Sequence, residues 1–421
     1  MGYNPNTCET LLEQIIEILF GKEVSSMGEM VSHTIEIKMN KTMRRYLDQC
    51  FGYNRYCWNK MLAENNRRQE ANEKYKFNDL SKYLHATQEE WESEMPSEVR
   101  VRSFHSLYNA FKRMWNGLAK YPNFKRKHSL QQSFKYSTED GKRIIWNEDY
   151  TKFKINCGCK FKFPQKYRWF KLTEPIGFKG TIKEICFFKK ADRYFANFQI
   201  QLNQARGQTT ATGIVGVDLG LKTYATLSDK TTYNLPKKKL KKLEKKAVFY
   251  QKMMSRKYKQ GQARQSNKYL KTKAKFNKLW WKITCLRKEF LHQTTTDICR
   301  NFKTIVVETL RPLNMMKNRK LAKQIQDACW GMFIEMLRYK SASHGNIFIQ
   351  VDTFYPSTQL CNCCGHRLEG SNKLKLQDRI YKCPNCGHEE DRDINAAKNL
   401  QLYGSRMLAG LQPSWRTWEN L

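Results

Sequence analysis

Alternation of apolar and polar side chains predicts the first regular element of the chain. Residues 33–39 alternate between the two types, which is typical of a half-buried strand. Asn40 can cap a helix that runs to about residue 65. Residues 66–120 are polar and helical in pattern, and their large apolar side chains predict one buried stripe. The members of this stripe are Trp91, Phe104, Leu107, Phe111 and Trp115.

The pattern then changes from helical to β. Between residues 134 and 202, short apolar runs divided by turn residues predict a small barrel or sandwich. Residues 214–217 form a short buried strand that ends at Asp218, and a second strand at 223–227 follows at hairpin distance. The elements predicted farther along are a basic helical stretch from Pro236 to about residue 300 with a break near Gly261, a buried strand at 304–307 that runs into Glu308, a helix at 321–341, a strand at 347–351 and a final helix that opens near Asp393.

The excess of basic over acidic residues indicates which kind of molecule the protein binds. The 421 residues include 76 Lys and Arg against 39 Asp and Glu, a formal net charge of +37. Charges this numerous repel one another in a compact protein, so a polyanion is the expected partner. A basic ribosomal or chromatin protein is the alternative, but such chains are usually shorter and poorer in aromatic residues, which make up 13% of this one.

Membrane and secreted classes are not favoured. No apolar run approaches the roughly 20 residues of a membrane-spanning helix, and the first residues lack the basic and apolar regions of a signal peptide. Five of the 14 cysteines lie in one short stretch, which suits a cytosolic metal site better than a disulfide framework. We therefore expect a cytoplasmic protein of a prokaryotic cell with no membrane partner.

Two basic segments are candidate nucleic-acid contacts. Residues 237–288 contain about twenty Lys and Arg and one acid, Glu244. These positive charges would repel one another strongly unless a polyanion neutralised them. A merely solvated helical face is the alternative. The second candidate is the basic loop at residues 125–127. The side chains selected from these two segments are Lys125, Arg126, Lys127, Lys271, Lys275 and Lys278, and Gln132, shortly after the loop, is selected with them.

Two C-x-x-C pairs, eighteen residues apart, predict a zinc ribbon. Each pair can direct two thiolates to one point, and the glycine after it permits a tight turn. Four thiolates meet the tetrahedral preference of zinc at about 2.3 Å and leave no open coordination position, so a structural Zn²⁺ is expected. A redox dithiol would need only one such pair, and Cys363 does not fit the spacing. A strand over residues 374–381 is expected to close the ribbon. The predicted ligands are Cys361, Cys364, Cys383 and Cys386.

Three carboxylates stand where a structural role is hard to explain. Asp218 and Glu308 each follow an apolar strand, where a buried carboxylate is costly unless it is paired, hydrogen-bonded or metal-bound. Asp393 opens a helix whose small residues can pack tightly on a sheet. Hard oxygen ligands suit Mg²⁺, and paired Mg²⁺ ions suit attack of water on a phosphodiester. Other interpretations are open. Asp218 can shape a turn, and Glu308 can pair with Arg311. Asp391 can take the role given to Asp393, or it can cap the helix.

Taken in order, these motifs resemble the RuvC-type core of the transposon-encoded TnpB nucleases, relatives of the small type V CRISPR effectors. The resemblance rests on GVDLG at 216–220, VVE at 306–308, the four cysteines and DRDINAA at 391–397. Weaker similarities at residues 54–62, 122–134 and 321–339 extend it over residues 33–403.

The resemblance implies an α+β multidomain protein with an RNase H-like (RuvC) α/β core, a zinc ribbon insert, a β-barrel wedge domain and a helical recognition insert. The expected divisions are an N-terminal extension of unknown role (1–32), the first wedge segment (33–65), a helical recognition domain (66–133), the second wedge segment, which forms the barrel (134–210), the RuvC core (211–357), a zinc ribbon that binds target nucleic acid (358–390) and the final RuvC helix with the tail (391–421).

The same resemblance implies the function, which is RNA-guided cutting of DNA beside a short flanking motif. A guide RNA and double-stranded DNA are the expected partners, with one monomer per guide RNA. The implied cofactors are one structural Zn²⁺ and two catalytic Mg²⁺ ions held by Asp218, Glu308 and Asp393, for which Mn²⁺ can substitute. Three rivals stay open: a CRISPR effector that uses an array RNA, a nuclease-dead RNA-guided repressor, and a DNA-joining transposase.

Overall fold

The computed structural model describes residues 29–127, 131–156, 168–203, 210–262, 265–375 and 377–411. Residues 1–28 of the expected N-terminal extension lie outside the described residues. The chain divides into two compact units, Met1–Ala205 and Arg206–Leu421. Among the described residues, none of the helices combines the length and apolarity that crossing a membrane requires.

The first unit contains three α-helices, one short 3₁₀ helix and seven strands among its described residues. In chain order they are β1 (Met30–Lys38), α1 (Lys41–Glu70), α2 (Asp79–Ala86), a 3₁₀ helix (Glu90–Glu94), α3 (Ser97–Trp115), β2 (Gln131–Ser137), β3 (Ile144–Trp146), β4 (Lys152–Ile155), β5 (Phe170–Leu172), β6 (Gly180–Lys190) and β7 (Arg193–Leu202).

All seven strands form one antiparallel sheet in the order β2-β6-β7-β1-β5-β4-β3. The ring of Phe153 on β4 lies 6.3 Å from that of Phe187 on β6, four strands away in this order. A flat sheet would separate these strands by about 19 Å, because neighbouring strands are about 4.8 Å apart. The sheet therefore curls around a core of phenylalanines, which matches the predicted barrel better than a sandwich.

The predicted first helix is confirmed, and it is longer than expected. Asn40 caps α1 because its Oδ1 accepts a hydrogen bond from the Met43 amide at 2.8 Å. The predicted stripe after it is wrong at two of its positions. Leu107 is fully buried, whereas Trp91 and Trp115 are 43% and 57% exposed. Trp115 is the last residue of α3, so one side of its ring faces solvent while the other packs on neighbouring rings.

The second unit contains a mixed sheet, a long helical hairpin and a small cysteine-bearing ribbon. Its described elements are β8 (Ile214–Leu219), β9 (Ala225–Leu227), β10 (Thr232–Tyr233), α4 (Lys237–Lys257), α5 (Asn267–Asn301), β11 (Thr304–Val307), α6 (Pro312–Met315), α7 (Ala322–Ala328), α8 (Trp330–His344), β12 (Ile347–Gln350), a 3₁₀ helix (Gly370–Asn372), β13 (Ile380–Lys382), β14 (Glu389–Asp391) and α9 (Arg392–Leu408).

The five-stranded sheet has the order β10-β9-β8-β11-β12, with β8, β11 and β12 parallel. Helix α9 lies directly on β8 and β11. A Cβ at Gly216 would overlap the carbonyl oxygen of Ala397, and one at Gly404 would overlap the side chain of Val306. The tight packing of the final helix on the sheet, expected from its small residues, is therefore confirmed.

Two predicted elements of the second unit need correction. The helix predicted at 321–341 is two helices, α7 and α8, because Cys329 adopts a left-handed conformation with φ of 54°. The strand predicted at 374–381 is shorter in the structure, where β13 covers Ile380–Lys382. A turn precedes β13, in which the amide of Lys375 donates to the Asp378 carboxylate at 2.6 Å. The predicted break near Gly261 is confirmed, since α4 ends at Lys257 and α5 begins at Asn267.

Candidate active site and cysteine cluster

Asp218 and Glu308 lie at the carboxyl ends of two neighbouring parallel strands. Val217 of β8 is opposite Val307 of β11 in the register, so the residues that follow them share one edge of the sheet. Asp218 is only 7% exposed and Glu308 is half-buried. The backbone amide of Leu219 donates to Oε1 of Glu308 at 3.2 Å. Carboxyl ends of parallel strands are where open α/β sheets bind ligands.

Asp393 reaches this edge from the first turn of α9. Asp391 caps the helix, since its Oδ1 accepts from the amides of Asp393 at 2.9 Å and Ile394 at 3.2 Å. The capping interpretation of Asp391 is thus confirmed. Arg392, to which sequence reasoning gave no role in the site, donates from Nη2 to Oδ1 of Asp393 at 3.1 Å.

Burial, and after it repulsion between like charges, raises the pKa of two of these carboxylates. Burial, followed by the charges of Glu308 and Asp393, holds the pKa of Asp218 well above its ordinary range, against the opposing charge of Arg392. Burial raises the pKa of Glu308 to about 7, with Asp393 adding to the rise and the Leu219 amide opposing it. A bound cation would relieve this repulsion, because an opposite charge favours the ionised carboxylate.

The alternative structural roles of two of these carboxylates find no support among the described residues. No described residue donates a hydrogen bond to the side chain of Asp218, and Arg311 forms no ion pair with Glu308. Arg311 instead lies over the ring of Phe354. The donor set at this edge is therefore made of hard carboxylate oxygens, of the kind that Mg²⁺ prefers.

The four predicted cysteines come together, with all their sulfur atoms within 4.8 Å of one another. The Sγ atoms of Cys361 and Cys386 are 3.7 Å apart, and those of Cys364 and Cys383 are 3.6 Å apart. Thiolates around a tetrahedral zinc at about 2.3 Å are separated by about 3.8 Å. The cluster therefore fits a structural Zn²⁺, and Cys363 stays outside it. Among the residues that the structure describes, no other His, Cys, Asp or Glu group is as tight, so the three carboxylates are more widely spaced.

The two halves of the cluster have matching backbone hydrogen bonds. The Gly365 amide donates to the Cys361 carbonyl at 2.9 Å, and the Gly387 amide to the Cys383 carbonyl at 3.0 Å. Both glycines have positive φ, 76° and 71°, which explains why the motif uses glycine there. Each knuckle is thus a local structure that its own short sequence specifies.

Two buried asparagines, which sequence reasoning missed, join the cysteine cluster to the helix that carries Asp393. Nδ2 of Asn395 donates to the Leu360 carbonyl at 2.7 Å, and Nδ2 of Asn399 donates to the same carbonyl at 2.7 Å. Oδ1 of Asn395 also accepts from the Asn362 amide at 3.1 Å. Asparagines on the buried face of an amphipathic helix were the available signal, because buried amides need partners.

The selected basic residues fall in different surroundings. Lys271, Lys275 and Lys278 are exposed on α5, at spacings that place them along one face. Lys125 is half-buried in the first unit, with Nζ 3.9 Å from the centre of the Trp58 ring, and burial lowers its pKa to about 8. Arg126 and Lys127 are exposed, while Nε2 of Gln132 donates to the Lys127 carbonyl at 2.6 Å.

Three family models match segments of the chain. A Cas12f1-like TNB domain model covers residues 330–400, and a model described as "Probable transposase" (OrfB_IS605) covers residues 197–319. A model described as a helix-turn-helix domain covers residues 30–74, where the structure has β1 and the single helix α1.

Similar proteins span most of the chain. "Putative RNA-guided DNA endonuclease InsQ" of Escherichia coli (strain K12) is 27% identical over 387 residues, covering 87% of this chain and 89% of that protein. A "Putative RNA-guided DNA endonuclease" of Streptomyces pristinaespiralis is 30% identical over 312 residues, covering 74% of this chain and 72% of that protein. The cryo-EM structure of a Cas12f1–sgRNA–target DNA complex matches with a TM-score of 0.54 and 14% identity, over 86% of this chain and 83% of that one, which shows similarity of fold.

Proposed function

Because this chain belongs to the TnpB-like family of RNA-guided DNA endonucleases, we propose that it cuts DNA at a site formed by Asp218, Glu308 and Asp393. The observation that carries the proposal is the placement of buried Asp218 and half-buried Glu308 at one sheet edge, with Asp393 on the adjoining helix acting electrostatically on both. The proposal includes an RNase H-like (RuvC) interpretation of the five-stranded sheet, whose parallel strands present these carboxylates.

Two Mg²⁺ ions are the proposed metals at this site, with Mn²⁺ as a substitute. The fit rests on three hard oxygen donors and on the raised pKa values of Asp218 and Glu308, since burial and neighbouring carboxylates disfavour their charged forms and a bound cation would favour them. Bound Mg²⁺ would lower the pKa of the attacking water and stabilise the leaving 3′ oxygen of the phosphodiester.

The protein's own groups orient these ligands. The Leu219 amide donates to one oxygen of Glu308, and Arg392 donates to one oxygen of Asp393, so each carboxylate keeps a second oxygen to which no described residue donates. Burial of Asp218 keeps water from screening its charge. The cysteine cluster, with one Zn²⁺ proposed in it, fixes the start of α9 through Asn395 and so positions Asp393.

A guide RNA and double-stranded DNA are the proposed partners, with one chain per guide RNA. The exposed lysines of α5 and the basic face of α4 support this proposal, since these cations lie side by side with Glu244 as the one acidic residue among residues 237–288. In the first unit, Arg126 and Lys127 remain proposed phosphate contacts. We also propose that the curled sheet of this unit belongs to the wedge domain, that α2 and α3, within residues 66–133, belong to the recognition insert, and that the divisions expected from the sequence hold.

The test is cleavage of a target duplex by the full chain with its bound RNA. Asp218→Ala and Glu308→Ala should each abolish cutting, while RNA binding and target binding stay at wild-type levels. Glu335→Ala, an exposed acid on α8, is the control and should cut normally. Full cutting by either active-site variant contradicts the assignment. Sequencing the RNA that copurifies separates a transposon-derived guide from a CRISPR array RNA, which alone would contain repeat–spacer units.

A further inference from the structure

An aromatic ring stands exposed at the same sheet edge as the carboxylates. Phe354 follows β12, which lies parallel to β11, and its side chain is 72% exposed. The Val351 amide donates to the Val307 carbonyl at 2.9 Å, so the chain leading to Phe354 starts beside the residue that precedes Glu308. A fully solvated phenylalanine at a sheet edge contributes little to folding, because its apolar surface stays in water.

The backbone on either side of this ring is fixed by hydrogen bonds and ring packing of neighbouring residues. Tyr355, the next residue, is anchored inward, with its hydroxyl donating to the Asn399 carbonyl at 3.1 Å and its ring 5.0 Å from that of Tyr403. The hydroxyl of Thr309 donates to the Val351 carbonyl. This hydrogen bond joins the loops after β11 and β12. The exposed Phe354 side chain therefore lies on a loop that is fixed on both sides.

A cation lies over this ring. The guanidinium of Arg311 is 5.9 Å from the centre of the Phe354 ring, and Arg311 follows Glu308 by three residues. Single-stranded nucleic acid is bound by such pairs, in which an aromatic ring stacks on a base and a nearby guanidinium meets the backbone or the base face.

We propose that Phe354 and Arg311 form a stacking platform for one unpaired base of the DNA strand that enters the carboxylate site. The platform rests on the proposed function, since it places a nucleotide beside Asp218, Glu308 and Asp393. It acts as a positioning device: the stacked base holds the neighbouring phosphodiester against the carboxylates. A duplex does not present an unstacked base, so the platform selects DNA that has been opened.

The first test is the cutting rate of the full chain with its guide RNA at saturating target DNA. Phe354→Ala should slow cutting about 10-fold, the effect of losing one base–aromatic stack, while target binding stays unchanged. Phe354→Trp should cut at close to the wild-type rate because it preserves the stacking face. Leu313→Ala is the control, at an exposed apolar side chain of α6 that carries no ring and cannot stack on a base. Unchanged cutting by Phe354→Ala overturns the proposal.

The second test locates the base. The fluorescent base 2-aminopurine is placed at successive positions around the cut site in complexes carrying Asp218→Asn, which keeps the DNA intact. At one DNA position the fluorescence should be quenched, and Phe354→Ala should restore it whereas Phe354→Trp should not. Restoration only for 2-aminopurine in the guide RNA, or a change of oligomeric state with no fluorescence change, overturns the assignment to the DNA strand.

The controls separate this proposal from the proposed function. If the Asp218→Asn complex cuts DNA at the wild-type rate, the active-site assignment fails. If that complex is inactive and Phe354→Ala still cuts and fluoresces like the wild type, the platform alone fails.

Discussion

Oδ1 of Asn395 accepts a hydrogen bond from the backbone amide of Asn362 at 3.1 Å, which joins the helix of Asp393 to the first cysteine knuckle. Nδ2 of the same side chain donates to the Leu360 carbonyl, and the residue is fully buried. The cysteine cluster and the carboxylate of Asp393 thus belong to one braced structure in the second unit. This relationship leads to the first two predictions.

Replacing Asn395 with leucine should weaken both folding and cutting. The substitution keeps the volume but removes the acceptor of the Asn362 amide and leaves the Leu360 carbonyl with Asn399 alone, which costs about 1–3 kcal/mol. The cutting rate should fall more than target binding, because Asp393 loses its position while the nucleic-acid surface is intact. Urea unfolding and single-turnover cleavage measure the two effects. Asn301→Leu, at an exposed asparagine, is the control, and equal behaviour of the two variants contradicts the prediction.

Loss of one zinc ligand should disturb the start of α9. Cys383→Ser should lower the bound zinc per chain and accelerate amide hydrogen exchange over residues 359–399, because the knuckles brace that helix. Zinc content by mass spectrometry and exchange by peptide mapping provide the measurements. Cys363→Ser should keep one zinc and normal exchange, since Cys363 lies outside the cluster. Zinc retained in Cys383→Ser at the wild-type level would argue against the assigned ligands.

The raised pKa of Glu308 predicts a pH-dependent stability without metal. Its pKa is about 7 in the folded protein against an ordinary 4.5, so between these values the folded state binds more protons than the unfolded state. The free energy of unfolding should therefore fall as pH rises from 4.5 to 7, and the deficit should persist above 7. Glu308→Gln should stabilise the metal-free protein at pH 8 by on the order of 1 kcal/mol.

That stabilisation should disappear at pH below 4.5, where the wild-type carboxyl is protonated in both states. The stabilisation by Glu308→Gln should also shrink when Mg²⁺ is added. The wild-type protein binds the ion and is stabilised by it, whereas the variant binds it weakly. Thermal melts at several pH values, with EDTA or Mg²⁺, give these comparisons. A variant that is less stable than the wild type in EDTA at high pH contradicts the electrostatic account.

Neutralising the exposed face of α5 should weaken RNA binding in a salt-dependent way. The triple change of Lys271, Lys275 and Lys278 to glutamine should reduce the slope of log affinity against log salt by about 1 for each phosphate that the protein no longer neutralises. The same three positions changed to arginine keep the charge and should preserve the slope. Binding titrations with the copurified RNA over a range of salt concentrations test this, and an unchanged slope in the glutamine variant removes this face from the interface.

Local patterns anticipated many elements of the fold. The cap at Asn40, the break between α4 and α5 and the strand ending at Asp218 all depend on residues within a few positions of one another. The errors arose where tertiary packing overrides the pattern. Trp91 and Trp115 look like core residues in sequence, but each lies where its element meets solvent. The break occurs because Cys329 itself is left-handed, and a cysteine rarely adopts this conformation, so the residue type at this position does not predict the break.

The sequence by itself determined the cysteine knuckles, because two C-x-x-C pairs with glycine turns fold through short-range hydrogen bonds. It also singled out Asp218, Glu308 and Asp393, whose catalytic role stays a prediction. Only the tertiary structure decided that these carboxylates, far apart in the chain, share one sheet edge. Strand order, parallel register and the packing of α9 bring them there, and those depend on contacts between distant residues. The same long-range contacts brought Arg311 over Phe354 and bound Asn395 to the first cysteine knuckle.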